Sequence, residues 1–208
     1  MENLLGQLRR QTYPRIDVQI VINGPGIHAG QIEARLASRR FERLSVHTMA
    51  DSNSLSRSLN HGMEKATGEY LVRFDADDRY LPDYLTNTVG FMQAQDADIC
   101  GKAHFFTYLE SCRAALLVKS AASPAYVVRG NHIVPSGATM VLRRGVWQAL
   151  RFNEDLKISE DTNFYVRAKA QGFVQVLAPP YDHVVIRKSD RWSHSWHQGD
   201  RLFLTEPN

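Results

Sequence analysis

Hydrophobic and polar positions alternate between two spacings along the first half of the chain. Residues 2–11 carry leucines at helical spacing, which predicts a helix. Residues 16–22 form a short, mostly apolar run that is typical of a buried strand. Strands that alternate with helices at such spacings indicate an α/β fold, with a mostly parallel sheet flanked by helices on both faces. The same alternation predicts a helix over 28–38, a strand near 44–47, a helix that begins at Asn53 or Ser54, and a strand over 70–74.

The second half has a less regular pattern. A helix is predicted from Leu81-Pro82 to about residue 95, and a strand over 97–101. Residues 103–132 have no clean period and are compatible with a hairpin and a loop. A further helix carries Phe164, Tyr165 and Ala168 on one face, and an edge strand is predicted over 173–177. Because neither a repeat nor a composition break is evident, residues 1–208 are predicted to form a single domain.

Composition excludes several classes of function. A net charge of +3 is too small to suggest nucleic-acid binding, and there is no long run of Lys and Arg. The two cysteines, Cys100 and Cys112, have neither the number nor the spacing of a disulfide framework or a zinc site, so a reducing cytoplasm is the expected location. No apolar run approaches the length of a membrane span, and no signal peptide is apparent.

The strand over residues 70–74 ends in an acidic cluster, Asp75-Ala76-Asp77-Asp78. Carboxylates this close repel one another unless a cation neutralises them, and Mg²⁺ and Mn²⁺ prefer oxygen ligands that they share with substrate phosphates. The cluster therefore predicts a metal–diphosphate site; the alternative is a solvated acidic turn before the next helix. Asn23 also follows a strand, so both groups are expected in the same crevice at the carboxyl ends of the strands.

Three segments resemble the nucleotide-sugar glycosyltransferases of family 2, which have the Rossmann-like GT-A fold of nucleotide-diphospho-sugar transferases. Residues 136–144, Ser-Gly-Ala-Thr-Met-Val-Leu-Arg-Arg, are similar to the family segment that lines the donor-sugar and acceptor pocket. Glu160-Asp161 resembles the family's Glu-Asp motif, although taken alone it is most simply explained as a charge pair favoured at a helix start. The resemblance covers roughly residues 4–190. In the first segment, the matching residues are Asn60, Gly62, Ala66, Gly68, Glu69, Tyr70, Arg73, Asp75, Ala76, Asp77 and Asp78.

This resemblance implies a metal-dependent, inverting glycosyltransferase that uses a nucleotide sugar, with a UDP-sugar as the expected donor and Mn²⁺ or Mg²⁺ as the cofactor. Asp161 is then the catalytic base, and Glu160 holds the base or the acceptor. Asp77 is the expected main metal ligand, assisted by Asp75 and Asp78, with His183 as a further ligand. The other expected donor contacts are Asn23, Asn60, Arg73, Asp75, Gly137, Ala138 and Arg187. His194, His197 and Lys188 are weaker candidates for the metal or the diphosphate.

The resemblance also divides the chain by role. Residues 1–101 are the expected nucleotide-binding half and residues 102–190 the acceptor and catalytic half, with a glycan or glycolipid as acceptor. The tail, residues 191–208, carries Trp and Leu side chains that suit a peripheral membrane contact or a contact with a second subunit.

Two features depart from the family pattern. Family members begin with an apolar strand, whereas this chain follows the pattern only from the helix at residues 2–11. We therefore expect that first strand to be missing, to lie upstream of residue 1 or to be replaced by another segment. Asn23-Gly24-Pro25-Gly26 stands where the pattern has Asp-Asp-Gly-Ser, and Asn23 can still exchange hydrogen bonds with a nucleotide. These departures keep open a second hypothesis, a degenerate GT-A domain that binds a nucleotide or a partner protein without catalysis. A nucleotidyltransferase or phosphatase is a third, disfavoured because the chain has no GxxxxGK[ST] phosphate loop.

Overall fold

The computed structural model describes residues 2–23, 29–36, 41–49, 54–119 and 134–190, together with Asp200 and Leu204. The first half follows the predicted alternation of helices and strands. Its elements are α1 (Glu2–Arg10), β1 (Asp17–Asn23), α2 (Ala29–Leu36), β2 (Arg43–Met49), α3 (Leu55–Lys65), β3 (Tyr70–Val72), β4 (Arg79–Tyr80), α4 (Tyr84–Ala94) and β5 (Ile99–Gly101).

The second half contains the hairpin expected within residues 103–132, while residues 120–133 lie outside the described part. Its elements are β6 (Phe105–Leu109), β7 (Ala114–Val118), a 3₁₀ turn (Gly137–Thr139), β8 (Val141–Arg143), α5 (Arg144–Leu150), α6 (Glu160–Ala170), β9 (Gln175–Leu177) and β10 (His183–Arg187). The short strands β4 and β10 were not predicted, because two and five residues give too little alternation to recognise. None of the helices in the described part is long and apolar enough to cross a membrane.

The described strands form three sheets rather than one. β1 pairs with β2 in parallel, β3-β8-β5-β9 form a second sheet, and β4-β10-β6-β7 form a third. β8 lies antiparallel between β3 and β5, whereas β5 and β9 are parallel. The α/β fold class is thus confirmed, with β9 at the predicted sheet edge, but the strand directions are more mixed than the pattern predicted. The cause is β8, which returns from the poorly patterned region to join the first-half strands.

Helix α1 forms because its leucines lie on one face, and that face packs on β1. Leu4, Leu5 and Leu8 belong to one buried cluster with Val18 and Ile20. Burying side chains of this kind stabilises the fold by about 1.5–3 kcal/mol each. Two buried glutamines, one in this helix and one directly after it, reach the residues after β3, which places the acidic cluster relative to the rest of the domain.

Gln7 and Gln11 make those connections. The Gln7 side-chain amide donates to the Asp78 carbonyl at 3.1 Å, and its oxygen accepts from the Tyr80 amide. Gln11 donates to the Leu81 carbonyl at 2.8 Å and accepts from the Leu85 amide at 3.1 Å. Buried backbone groups that would otherwise lack partners are satisfied in this way, so the segment from Asp78 to the start of α4 is held in place by these two side chains.

Lys102 is buried at the end of β5 and offers a stability test. Its ammonium donates to the Pro179 carbonyl at 2.7 Å, and burial lowers its pKa to about 8 from a usual 10.5. At pH values between these two pKa values, the unfolded chain binds more protons than the folded one. The free energy of unfolding of the wild type, relative to that of Lys102→Met, therefore rises with pH across this range, by up to about 3 kcal/mol. Urea unfolding of both proteins at about pH 7 and about pH 10 measures the change. If the difference in unfolding free energy between the two proteins were the same at both pH values, the lowered pKa of Lys102 would be contradicted.

Candidate functional site

Arg73 connects the acidic cluster to the second half of the chain. Its guanidinium makes two hydrogen bonds to Asp75, from Nε to Oδ1 at 2.6 Å and from Nη2 to Oδ2 at 2.9 Å. The remaining nitrogen, Nη1, donates to Glu160 Oε1 at 3.0 Å. Planar, paired hydrogen bonds of this kind are short and directional, so Arg73 holds a carboxylate from each half in a fixed arrangement.

The cluster is mostly shielded from solvent, since the side chains of Arg73 and Glu160 are only 10% and 12% exposed. Burial alone would lower the pKa of Arg73, but the neighbouring Asp75 and Glu160 carboxylates outweigh it and raise that pKa above its usual value. Arg73 therefore remains a permanent positive charge between two carboxylates, and removing it would leave them uncompensated.

Tyr80 links the acidic cluster to the 3₁₀ turn. Its hydroxyl accepts from the Asp75 amide at 2.9 Å and donates to the Ala138 carbonyl at 2.8 Å. Burial, reinforced by the charges of Asp75 and Asp78, raises the pKa of Tyr80 well above its usual value, so the hydroxyl keeps the proton that it donates. The sequence contained no signal for this role, because the partner lies far along the chain.

Gly137 lies directly against Asp161. A Cβ placed on Gly137 would be 2.5 Å from Asp161 Oδ2 and 3.0 Å from Arg73 Nη1. Glycine is therefore needed here because the backbone of the turn approaches both side chains closely. Gly137, Ala138 and Asp161, expected from separate segments, are brought to one place with Arg73.

Glu160 and Asp161 begin helix α6, where the helix dipole favours carboxylates. Asp161 Oδ1 accepts from the Thr162 amide at 2.6 Å, while Oδ2 faces Gly137. Ser159, just before the pair, has a left-handed backbone with φ of 61°. Such a conformation in a non-glycine residue costs energy and is often found at functional sites; nothing in the sequence indicated it.

Asp78 and His183 contact each other in the protein interior. His183 is fully buried, and its Nε2 lies 2.9 Å from Asp78 Oδ2. Asp78 Oδ1 also accepts from the Ile186 amide at 3.3 Å. Burial raises the pKa of Asp78, although the His183 hydrogen bond opposes the shift. In this arrangement both side chains fasten β10 to the loop after β3, whereas Asp77 is only partly buried.

The side chain of Asn60 forms hydrogen bonds within the protein interior. Its amide nitrogen donates to the Phe152 carbonyl and to Glu154 Oε1, both at 2.9 Å. Its oxygen accepts from the Phe152 amide at 2.9 Å and the Trp147 indole at 3.1 Å. These bonds use two donors and two acceptor positions, which is the full capacity of an asparagine side chain. The residue expected at the donor site thus ties α3 to the segment after α5.

The substitution Asn60→Ala is expected to destabilise the protein by about 3 kcal/mol, because it leaves the Trp147 indole and both backbone groups of Phe152 buried without partners. Asn87→Ala is the matched control, since Asn87 makes an exposed hydrogen bond to Asp182. Urea unfolding midpoints of the two variants measure the contrast. A loss no larger for Asn60→Ala than for Asn87→Ala would contradict the assignment.

The other expected residues lie around this centre or outside the described part. Asn23 is exposed at the end of β1, and Arg187 is buried at the end of β10. His194 and His197 are not among the described residues. Within the described part, no three His, Cys, Asp or Glu side chains are grouped in a way that could hold a metal ion. Any metal bound to these residues would need additional ligands from elsewhere.

Comparison with known sequence families gives two overlapping matches. Residues 1–114 match the profile of Glycosyl transferase family 2, which is more than half of the chain. Residues 70–204 match the profile of Glycosyl transferase family group 2. Between them these matches include all the carboxylates of the site.

Individual proteins agree with these profiles. The amylovoran biosynthesis glycosyltransferase AmsB of Erwinia amylovora is 24% identical over 182 residues, which are 82% of this chain and 60% of that protein. The crystal structure of Staphylococcus aureus TarS 1-349 in complex with UDP-GlcNAc matches with a TM-score of 0.71 and 17% identity, over 99% of this chain and 57% of the chain in that structure. The mannosyltransferase PcManGT of Pyrobaculum calidifontis, in complex with GDP-Man and Mn²⁺, has a TM-score of 0.66 and 17% identity, over 89% of this chain and 52% of that one. The expected GT-A fold is thereby confirmed.

Proposed function

This chain belongs to glycosyl transferase family 2, and on that premise we propose that it transfers a sugar from a nucleotide-sugar donor to a glycan or glycolipid acceptor. The observation that carries the proposal is the cluster formed by Arg73, Asp75, Glu160 and Asp161 against the backbone of Gly137. In this cluster the permanent positive charge of Arg73 is bonded to Glu160 at the start of α6, next to Asp161. Relatives of this chain are named as glycosyltransferases.

Asp161 acts as the general base in this proposal. Its Oδ2 faces the Gly137 turn, and the side chain is only partly buried, so an acceptor hydroxyl can reach it. A carboxylate within hydrogen-bond distance of the hydroxyl can remove its proton as the new bond forms. Glu160 is already engaged by Arg73 and keeps the start of α6 in place. In the proposed reaction the acceptor oxygen attacks the anomeric carbon directly as the nucleoside diphosphate leaves, so the configuration at that carbon is inverted.

A divalent cation fits the donor side of this site. Asp75 uses one lone pair on each oxygen for Arg73, which leaves further lone pairs on the same carboxylate, and Asp77 is partly exposed nearby. Mg²⁺ and Mn²⁺ are commonly held by one or two carboxylates together with substrate phosphates, which agrees with a described part that supplies no complete metal cage. When bound, the cation would stabilise negative charge on the departing diphosphate. Asp78 and His183, being paired with each other, are left to position the loop.

The donor is proposed to be a UDP-sugar. UDP-GlcNAc is bound by TarS and GDP-Man by PcManGT, so the fold accommodates both kinds of base. The acceptor proposed for this chain is a growing polysaccharide or another glycoconjugate, as the name of the amylovoran relative suggests. Because the chain spans 60% of the length of that relative, acceptor contacts outside this segment are part of the proposal.

The test is a thermal-stability series with UDP, GDP, dTDP and CDP, each with and without Mn²⁺. A ligand that binds only the folded state stabilises it by about 2.7 kcal/mol at one hundred times its dissociation constant. We expect one nucleotide, UDP, to raise the melting temperature in a Mn²⁺-dependent manner.

The same series in Asp77→Asn isolates the metal contribution. Neutralising Asp77 is expected to weaken Mn²⁺-dependent UDP binding by about tenfold or more, equivalent to about 1.4 kcal/mol. Asp155→Asn is the control, since Asp155 is an exposed loop residue whose backbone amide bonds to Asn153. Equal UDP binding by Asp77→Asn and the wild type would overturn the metal assignment. If no nucleotide stabilises the wild type, the degenerate binding domain replaces the proposed enzyme.

A further inference from the structure

One buried oxygen atom, the hydroxyl of Tyr80, bonds to the backbone on both sides of the site. It accepts from the Asp75 amide at 2.9 Å and donates to the Ala138 carbonyl at 2.8 Å. Asp75 belongs to the acidic cluster, where the donor is proposed to bind, and Ala138 lies in the 3₁₀ turn that approaches Asp161. Because the same atom serves both bonds, it fixes the spacing between these two backbone segments.

The ring of Tyr80 is packed so that this oxygen has little freedom to move. Tyr80 is only 2% exposed, and its ring stacks on Phe74 with the two centroids 4.1 Å apart. The rings of Tyr84 and His183 lie beside it, each with its centroid 4.9 Å from that of Tyr80. The backbone is held as well, because the Tyr80 amide donates to the side chain of Gln7. Side chains in close-packed surroundings of this kind keep a single arrangement, so the hydroxyl is a fixed point in the site.

The two ends of the 3₁₀ turn are held by a different residue. The Lys102 carbonyl, just after β5, accepts from the Ser136 amide at 3.0 Å, and the Lys102 amide donates to the Thr139 hydroxyl at 2.8 Å. These bonds hold the start and the end of the turn, whereas the carbonyl in its middle, that of Ala138, accepts from Tyr80. That carbonyl belongs to the residue directly after the glycine that lies against the proposed base.

The donor-side carboxylate is held independently of Tyr80. Both carboxylate oxygens of Asp75 accept from Arg73, whereas Tyr80 bonds to the backbone amide of Asp75. Loss of the Tyr80 hydroxyl therefore leaves the charges that would hold a cation and a diphosphate in place. What it changes is the spacing between this carboxylate and Asp161. A displacement of about 1 Å between groups that must act together costs about 10²-fold in rate.

We propose that Tyr80 is a positioning residue for sugar transfer, and that its hydroxyl sets the spacing between the donor-side carboxylate of Asp75 and the general base Asp161. The inference rests on the proposed function, because it concerns the same site and the same reaction. Tyr80 itself neither touches the substrate nor transfers a proton in this role. Its removal is therefore expected to lower the turnover rate without weakening donor binding.

Tyr80→Phe tests the proposal, because it removes the hydroxyl and keeps the ring. Tyr84→Phe is the matched control, since Tyr84 packs beside Tyr80, is fully buried, and has no hydrogen-bond partner for its hydroxyl within the described residues. The probes are UDP-GlcNAc, UDP-glucose and UDP-galactose, with Mn²⁺ and a mixture of free hexoses as acceptors, and the release of UDP reports turnover. Calorimetric titration with UDP and Mn²⁺ reports donor affinity, and urea unfolding shows whether each variant is folded.

Tyr80→Phe is expected to lower kcat by about tenfold or more and to change the dissociation constant of UDP by no more than about twofold. Tyr84→Phe is expected to match the wild type in both quantities. Equal kcat values for the two variants would overturn the positioning role, and a parallel loss of kcat and UDP affinity would overturn it by placing Tyr80 in donor binding. If the wild type releases no UDP from any of the three donors, the proposed function fails, and this inference fails with it.

A second variant decides the question if Tyr80→Phe does not fold. In Tyr80→4-aminophenylalanine, the amino group still donates to the Ala138 carbonyl but is a weak acceptor for the Asp75 amide. Because one hydrogen bond is worth a factor of about two to ten, this variant is expected to lower kcat by about threefold, with UDP affinity unchanged. A kcat equal to that of the wild type would overturn the proposal.

Discussion

Asp161→Asn is expected to lower the rate of sugar transfer by about 10²–10⁴-fold, the usual contribution of a general base. Asparagine has nearly the same shape and can still accept from the Thr162 amide through its oxygen, so helix α6 keeps its start. What is lost is the ability to take a proton from the acceptor hydroxyl. Donor binding depends on other residues and is expected to stay within a factor of two or so of the wild type.

Two measurements separate these effects. Initial rates at saturating donor report turnover, and calorimetric titration with UDP and Mn²⁺ reports donor affinity. Asp155→Asn, the exposed carboxylate used above, controls for the loss of one negative charge. A fully active Asp161→Asn enzyme would remove Asp161 from the mechanism, and an equal loss of rate and donor affinity would place it in donor binding.

Gly137→Ala is the second substitution with a large expected effect. The new methyl group would come within 2.5 Å of Asp161 Oδ2 and 3.0 Å of Arg73 Nη1, so one or both side chains must move. A displacement of about 1 Å in a reacting group costs about 10²-fold in rate, and we expect a loss of that size. Because Arg73 also bonds to Asp75 and Glu160, the shift spreads to the acidic cluster.

Gly90→Ala is the matched control for this substitution. A Cβ at Gly90 meets no heavy atom within 4 Å, and the residue lies inside helix α4. Alanine is favoured over glycine in a helix by about 1 kcal/mol, so the control is expected to be slightly stabilised and fully active. If Gly137→Ala retained the wild-type rate, the 3₁₀ turn could shift to accommodate the methyl group, and the close approach of Gly137 to Asp161 would not be needed for catalysis.

Sequence patterns predicted those features that are encoded within short segments. Leucine spacing in α1, the apolar run of β1 and the carboxylates after β3 each depend on a few neighbouring residues. The resemblance added Gly137 and Glu160-Asp161 to the same site, and the structure brings them beside Arg73. The substitutions Asp161→Asn and Gly137→Ala test the chemical role of these residues.

Features that depend on distant partners could not be predicted in the same way. Asn60 matches a family position, but its four bonds go to residues about ninety positions away. Tyr80 lies next to the acidic cluster, yet its role comes from the Ala138 carbonyl. Asp78 differs from Asp77 only in what surrounds it, because His183 and the Ile186 amide are supplied by β10. Such pairings follow from the tertiary fold rather than from local pattern.

The position of β8 has a consequence for how the protein is made. β8 lies between β3 and β5, although residues 102–140 separate β5 from β8 along the chain. On a ribosome that adds about 5–20 residues per second, β3 and β5 leave the exit tunnel seconds before the strand that joins them. During that interval their apolar edges are unpaired and open to other nascent chains, so chaperone occupancy of this protein should peak just before residue 143 emerges.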